Sequence, residues 1–325
     1  MSLTFIEVCA GCGGLSQGFI KSGFHPILLN EIDKTCCDTL RKNHPDVKIV
    51  NDDMTKLELS KYHGQVDVMM GGIPCQSFSH AGERKGLDDK RGDLILKFRN
   101  LLQDVEPKVF IIENVKGLTT HDKGETMQKV LRHFREIDMY NIVFKVLNAV
   151  DYEVPQKRER VIIVGVRKDL EKKYEFPKKT SKRLVLKDVL LDCPSSAGQK
   201  YPPAKEAVMK LVPAGGCWVD LPDDIQRKYM GKSMESGGGK RGMARRLSMD
   251  EACLTLTTSP CQKQTERCHP SETRPLTTRE YARIQTFPDE YEFCGSVGKI
   301  YKQIGNAVPV MLAYHVAESV RSLLT

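Results

Sequence analysis

The chain has 325 residues, 40% of them hydrophobic, with 50 Lys and Arg against 42 Asp and Glu and a formal net charge of +8 at pH 7. That length and apolar content suit one large core with a smaller module, or two domains, and exclude an intrinsically disordered chain. Residues 1–5 form no basic, apolar leader and no run approaches the about 18 uncharged apolar residues of a membrane span, so a soluble, unexported, cytoplasmic protein is expected, its eleven cysteines free in a reducing compartment.

Residues 1–150 alternate strand and helix. Apolar runs predict strands at 5–9, 27–29, 47–50, 66–70 and 108–112, with helices at 14–22, 34–42, near 93–102 and at 124–134; strands at 142–147 and 160–166 follow. The runs are continuously apolar, as in a parallel sheet covered by helices on both faces. The expected fold class is α/β, a doubly wound and mostly parallel sheet with a second, smaller, loop-rich domain.

From about residue 168 the periodicity fails. Prolines at 177, 194, 202, 203, 213 and 222 and glycines at 237–239 mark a loop-rich module. Nine basic residues against three acidic ones lie between Arg167 and Lys187, and Lys240, Arg241, Arg245 and Arg246 follow. Such a run is either a solvated face or a surface for a polyanion, and charge alone leaves both open. Order returns at 273, with a helix at 278–284, a turn at 287–289 and a closing helix at 309–324 that has Pro309 in its first turn. The expected boundaries are 1–167 plus 273–325 for the first domain and 168–272 for the second.

The stretch Gly71-Gly72-Ile73-Pro74-Cys75-Gln76-Ser77-Phe78-Ser79 follows the apolar run at 66–70, so the glycines and Pro74 stop a buried strand and hold Cys75 at its mouth. A single cysteine is more commonly a small buried hydrophobe, and its company decides. After the first strand, Gly11, Gly13 and Gly14 let backbone approach a nucleoside cofactor closely, while the spacing, with Ser16 where a dinucleotide fingerprint needs glycine, argues against NAD. Glu31 and Asp53, at the tips of the second and third strands, suit ribose hydroxyls and an adenine amino group, or else cap helices. Glu113 ends a fully apolar strand, where burial would raise its pKa and suit it to giving a proton; a solvated strand end is the alternative. Alternation along Gln156-Lys157-Arg158-Glu159-Arg160 points Arg158 and Arg160 to one side, where two guanidiniums could hold an anion.

In this order the blocks 5–14, 30–33, 71–79, 113–115, 156–160, 274–289 and 303–309 resemble the DNA (cytosine-5)-methyltransferases, most of all the compact enzymes of bacterial type II restriction-modification systems. They span nearly the whole chain; only 168–272 lacks family motifs, and there the family has its target-recognition domain. The resemblance implies a methyltransferase fold, S-adenosyl-L-methionine as cofactor, and double-stranded DNA from which the target cytosine is flipped out. It implies Cys75 as the nucleophile on cytosine C6, Glu113 opposite N3, Arg158 at O2 with Arg160 beside it, and cofactor contacts at Gly11, Gly13, Gly14, Glu31, Asp53, Pro74, Leu94 and Asn306. Residues 82–92 match a loop closing over DNA, and Gln76, Ser77, Arg91, Arg241 and Arg245 are the DNA-reading candidates. The chain departs from the family where Cys9, Ile73 and Thr286 stand for a usual Phe, Pro and Gly. A monomer in a bacterial or phage setting is expected, with any cognate endonuclease acting separately, and no metal, since the spacing of Cys261, Cys268 and His269 is not a usual zinc pattern. A tRNA methyltransferase of this fold and an inactive DNA-binding paralogue are the rivals; the first lacks its Cys-Phe-Thr signature here, and the second would have lost blocks that are intact.

Overall fold

The computed structural model describes residues 2–73, 93–235 and 242–325. Pro74, Cys75, Gln76, Ser77, Arg91 and Arg241 lie outside the described residues. In chain order the elements are β1 (Thr4–Val8), α1 (Gly14–Lys21), β2 (His25–Asn30), α2 (Lys34–Asn43), β3 (Lys48–Val50), β4 (Val68–Gly71), α3 (Asp93–Val105), β5 (Val109–Val115), α4 (Gly117–Thr120), α5 (Glu125–Arg135), β6 (Tyr140–Asn148), β7 (Gln156–Lys157), β8 (Glu159–Arg167), α6 (Lys187–Leu190), α7 (Pro203–Lys210), α8 (Asp223–Met230), β9 (Cys253–Leu254), α9 (Thr278–Ile284), α10 (Val297–Asn306) and α11 (Val310–Leu324).

Seven described strands form one sheet in the order β3-β2-β1-β4-β5-β8-β6. The first five are parallel, and β8 runs antiparallel to both β5 and β6. The mostly parallel sheet read from the apolar runs is thus present. Its antiparallel edge follows from chain length: β6 and β8 are joined by residues 149–158, which hold only a 3-10 turn at Ala149–Asp151 and the two-residue β7, too little for a parallel crossover. Strands β4 and β5 are buried from Val68 to Met70 and from Val109 to Ile112, which is why their sequences do not alternate.

The strand order reverses between β1 and β4. The chain goes out from β1 through β2 to β3, then returns to β4 on the other side of β1, and in such sheets the crevice beyond the carboxyl ends at this switch point is where ligands bind. The glycine loop after β1 and Gly71-Gly72-Ile73 after β4 both open there.

Packing divides the chain into two compact units, one of residues 1–149, 159–179 and 308–325, the other of 150–158 and 180–307. These limits differ from the motif-based ones: residues 273–307 pack with the second unit, and the return to the first begins at Val308. In the first unit α11 crosses α1 so closely that a Cβ on Gly18 would lie 2.4 Å from the Ala313 Cβ. The C-terminal helix therefore buttresses the helix that carries the glycine loop.

In the second unit the RPLTTRE block is architectural. Arg274 grips Glu280 through both carboxylate oxygens at 2.9 and 2.8 Å, and Glu280 also accepts from the Thr277 N–H at 2.7 Å to close a capping box on α9. Thr286 has φ of 61°, a left-handed conformation that a β-branched side chain adopts at a cost of about 1–2 kcal/mol. Thr286→Gly is therefore expected to raise the midpoint of thermal unfolding by a few degrees, or about 1 kcal/mol, read by calorimetry; a lowered midpoint would mean that the Thr286 hydroxyl bond to the Gln285 carbonyl, 2.7 Å, outweighs the strain.

Candidate active site

The site grows from the end of β5. Glu113 and Arg160 are diagonal neighbours across the antiparallel β5–β8 pair, since Glu113 faces Ile162 and Val115 faces Arg160 in register. Their side chains meet on one face of the sheet, with the Arg160 Nε 2.7 Å from the Glu113 Oε1, both mostly buried. The other oxygen, Oε2, lies 3.4 Å from where a Cβ on Gly72 would stand. The backbone at Gly72 thus runs beside this carboxyl, at a distance where a Cβ would make ordinary contact with it.

The next residue, Asn114, is buried, and its amide donates to the Ile73 carbonyl at 2.6 Å. It pins the segment two residues before Cys75 to β5, a role the sequence reading missed; the apolar run that precedes an Asn at a strand end was the available signal.

Arg158 does not share the carboxyl. The residue is 1% exposed, and its guanidinium donates to the carbonyls of Leu256 at 3.1 Å, Gly305 at 2.8 Å and Ala307 at 3.0 Å, all within the second unit. The expected convergence of Arg158 and Arg160 fails because β7 ends at Lys157 and β8 begins at Glu159, in different sheets, and side-chain alternation does not carry across a break. Arg158 is a structural cation. Arg158→Ala is expected to leave three buried carbonyls unsatisfied and to cost about 3–5 kcal/mol in denaturant unfolding, while Arg160→Ala should lower turnover with a smaller loss of stability.

The cofactor candidates of the first unit gather at the switch point. Glu31 is 8% exposed; its Oε2 accepts from the Gly11 N–H at 2.8 Å and its Oε1 from the Asp33 N–H at 2.9 Å. The carboxylate thus ties the glycine loop to the tip of β2, and since a carboxylate offers about four acceptor positions, room remains for ribose hydroxyls. Gly11 and Gly13 have φ of 56° and 83°, and a Cβ on Gly11 would meet nothing within 4 Å, so the loop backbone borders open space. Gly14 is buried as the first residue of α1. Asp53 uses Oδ1 to hold the Thr55 N–H at 2.9 Å, the helix-capping alternative, and is half-buried. Capping and ligand contact are compatible for it, because both of these hydrogen bonds run to one oxygen. Between Glu31 and Asp33 stands Ile32, 66% exposed, an apolar side chain at the rim of the crevice that the sequence reading passed over. Leu94 is half-buried on α3 and packs against the core of the first unit. Asn306 ends α10 in the second unit and is exposed.

These residues fit an adenosine-bearing cofactor: a glycine loop that borders open space at Gly11, a buried carboxylate at the β2 tip and an exposed apolar side chain beside it. Cys9 and Cys12, spaced as a Cys-x-x-Cys pair, are held toward the thiol form. Burial pushes the Cys9 thiol up to about 12 and the Cys12 thiol well above its ordinary value. Among the described residues no disulfide is formed, and no group of His, Cys, Asp and Glu is arranged to hold a metal ion.

The basic surface is less available than its composition suggests. Of the nine basic residues from Arg167 to Lys187, Arg167 pairs with Asp169, Lys168 with Asp138, Arg183 with Asp151 and Lys187 with Asp250. Arg246 is buried and donates to the carbonyls of Met209 and Val212 at 2.7 and 2.8 Å. Arg245, a DNA-reading candidate, is largely buried, with its Nη2 3.8 Å from the Glu251 carboxylate.

The family model for C-5 cytosine-specific DNA methylases matches residues 3–322. The chain belongs to that family. This DNA methylase is 51% identical over 330 residues to the type II methyltransferase M.Eco47II of Escherichia coli, covering 99% of its own length and 79% of the relative's. It is 52% identical over 320 residues to M.Sau96I of Staphylococcus aureus, covering 96% and 74%. A crystal structure described as a DNA modification methyltransferase encoded within an E. coli prophage shares its fold, with a TM-score of 0.74 at 24% identity over 99% of each chain. The DNA methylase is accordingly a cytosine-5 methyltransferase acting on DNA with S-adenosylmethionine as methyl donor. No helix among its described residues is long and apolar enough to cross a membrane.

Proposed function

We propose that this DNA methylase modifies one cytosine within a short sequence of double-stranded DNA, that Cys75, Glu113 and Arg160 carry the chemistry, and that the second unit selects the sequence. The observation that supports this most is the Glu113–Arg160 pair at 2.7 Å, set beside Gly72, three residues before Cys75 in the chain.

Cytosine C5 is too weak a nucleophile to take a methyl group unaided. The Cys75 thiolate adds to C6, forming an S–C bond and pushing the ring electrons toward N3 and O2. Glu113 gives a hydrogen bond or its proton to N3, and Arg160, rather than Arg158, steadies O2 while orienting Glu113. S-adenosylmethionine, when bound, supplies an electrophilic methyl group. Gly11, Gly13, Glu31, Ile32 and Asp53 would hold its nucleoside part, the glycine backbone approaching closely and Glu31 accepting from ribose. After transfer, loss of the C5 proton to a base and departure of the Cys75 sulfur restore the aromatic ring and the enzyme.

The setting we infer from the type II relatives is a bacterial or phage cytoplasm, with a monomeric enzyme acting independently of a cognate endonuclease. Expressing the protein in a host lacking cytosine methylation and mapping 5-methylcytosine by bisulfite sequencing tests the reading. One short motif modified at a single cytosine is expected; scattered modification or none would contradict it.

A further inference from the structure

Glu7 lies in the middle of β1, at the centre of the sheet, and has no part in the chemistry above. It is 2% exposed. Its side-chain partner is Ser16 of α1, whose hydroxyl donates to the Glu7 Oε2 and whose backbone N–H also faces the carboxyl. The charged groups that act on it are Glu31 at the end of β2 and Glu113 on β5, both negative, and among the described residues it has no cationic partner. Burial is the larger influence, and together these push its pKa up to about 8. The Glu31 carboxylate is in turn bonded to Gly11 in the loop that follows β1. Glu7 thus lies within electrostatic reach of Glu31, which holds the glycine loop, and of Glu113, which pairs with Arg160.

This arrangement has a consequence for the cofactor that rests on the assignment of the glycine loop as its site. S-adenosylmethionine carries a sulfonium, and the thioether left after methyl transfer lacks that positive charge. We propose that Glu7 is a positioning residue that senses this difference: it loses its proton to solvent when the sulfonium form occupies the glycine loop and keeps it when the thioether does. Ionised Glu7 then attracts the cationic donor, and neutral Glu7 gives the spent product no such hold. The enzyme thereby favours its substrate over its product without any contact that distinguishes a methyl group.

The sign follows from linkage. A ligand whose binding expels a proton binds more tightly as pH rises toward the pKa of the group that loses it. The ratio of donor to product affinity is therefore expected to rise by up to about tenfold per pH unit below about pH 8 and to level off above it.

Isothermal titration calorimetry on the full chain, with S-adenosylmethionine and separately with S-adenosylhomocysteine, in phosphate and in Tris at about pH 6.5, counts the protons exchanged; at that pH α-ammonium groups stay charged. Close to one proton released with the first ligand and none with the second is expected, and Glu7→Gln should abolish the release while leaving product affinity unchanged. Ser16→Ala, which keeps the carboxyl and removes a donor to it, should move the levelling-off to higher pH, a readout that stands even if Glu7→Gln does not fold. Equal proton counts for the two ligands, or a difference that survives Glu7→Gln, would overturn the proposal. Binding of neither ligand would instead remove the cofactor assignment, and this proposal with it.

Discussion

Glu113→Gln is expected to slow methyl transfer by about 10²–10⁴-fold while leaving DNA affinity within a few-fold of the parent. The amide has the same shape and its oxygen can still accept from the Arg160 Nε, so the pair seen at 2.7 Å survives in outline. What the amide cannot do is give up a proton as electrons move onto N3. The loss should therefore fall on the chemical step, visible in single-turnover incorporation of labelled methyl groups, and not on the binding of either substrate. Arg160→Ala should show a related but smaller defect, and combining the two changes should cost less than the product of the single losses, because the residues act as a unit. A Glu113→Gln enzyme within tenfold of the parent would mean that another group serves N3.

Cys75→Ser is expected to reduce methyl transfer to the level of a no-enzyme control. A hydroxyl has a far higher pKa than a thiol and supplies almost no anion at neutral pH, so addition to C6, on which every later step depends, fails. Cys9 and Cys12 belong to the same unit, but burial raises both well above the range in which a thiolate is populated. The variant should still bind its DNA site, and a gel-shift titration at fixed salt separates that from loss of fold. Methylation by the Cys75→Ser protein at a tenth or more of the parental rate would contradict the covalent route.

The fold was legible in the sequence for physical reasons, and so was the carboxylate of the candidate site. A fully buried parallel strand must be continuously apolar, and the runs ending at Met70 and Ile112 are; a carboxylate closing such a run stands out, and Glu113 did. What was not legible depended on breaks in regular structure. Arg158 and Arg160 share a side only if residues 156–160 form one strand, and the interruption at Arg158 between β7 and β8 sends the two guanidiniums to different units. Glu7 was read as part of an apolar strand, because one acidic residue among Phe5, Ile6 and Val8 does not disturb the pattern; its enclosure against Ser16 is a tertiary fact. The basic residues from Arg167 to Lys187 left a solvated face and a polyanion surface both open, and two of their acidic partners, Asp138 and Asp250, are too distant in sequence for local composition to show. Likewise the Glu280 carboxylate in the RPLTTRE block marks the family without touching chemistry, since it is consumed by Arg274 and by the cap of α9.

The covalent bond at Cys75 is the claim on which the functional account turns. Incubating the protein with S-adenosylmethionine and a duplex in which the target cytosine is 5-fluorocytosine tests it directly, because fluorine at C5 blocks the final elimination. A denaturation-stable protein–DNA adduct, mapped by mass spectrometry to the peptide containing Cys75 and absent from Cys75→Ser, is the predicted result. Methylation of unmodified duplex with no such adduct, or an adduct mapped to another residue, would contradict it.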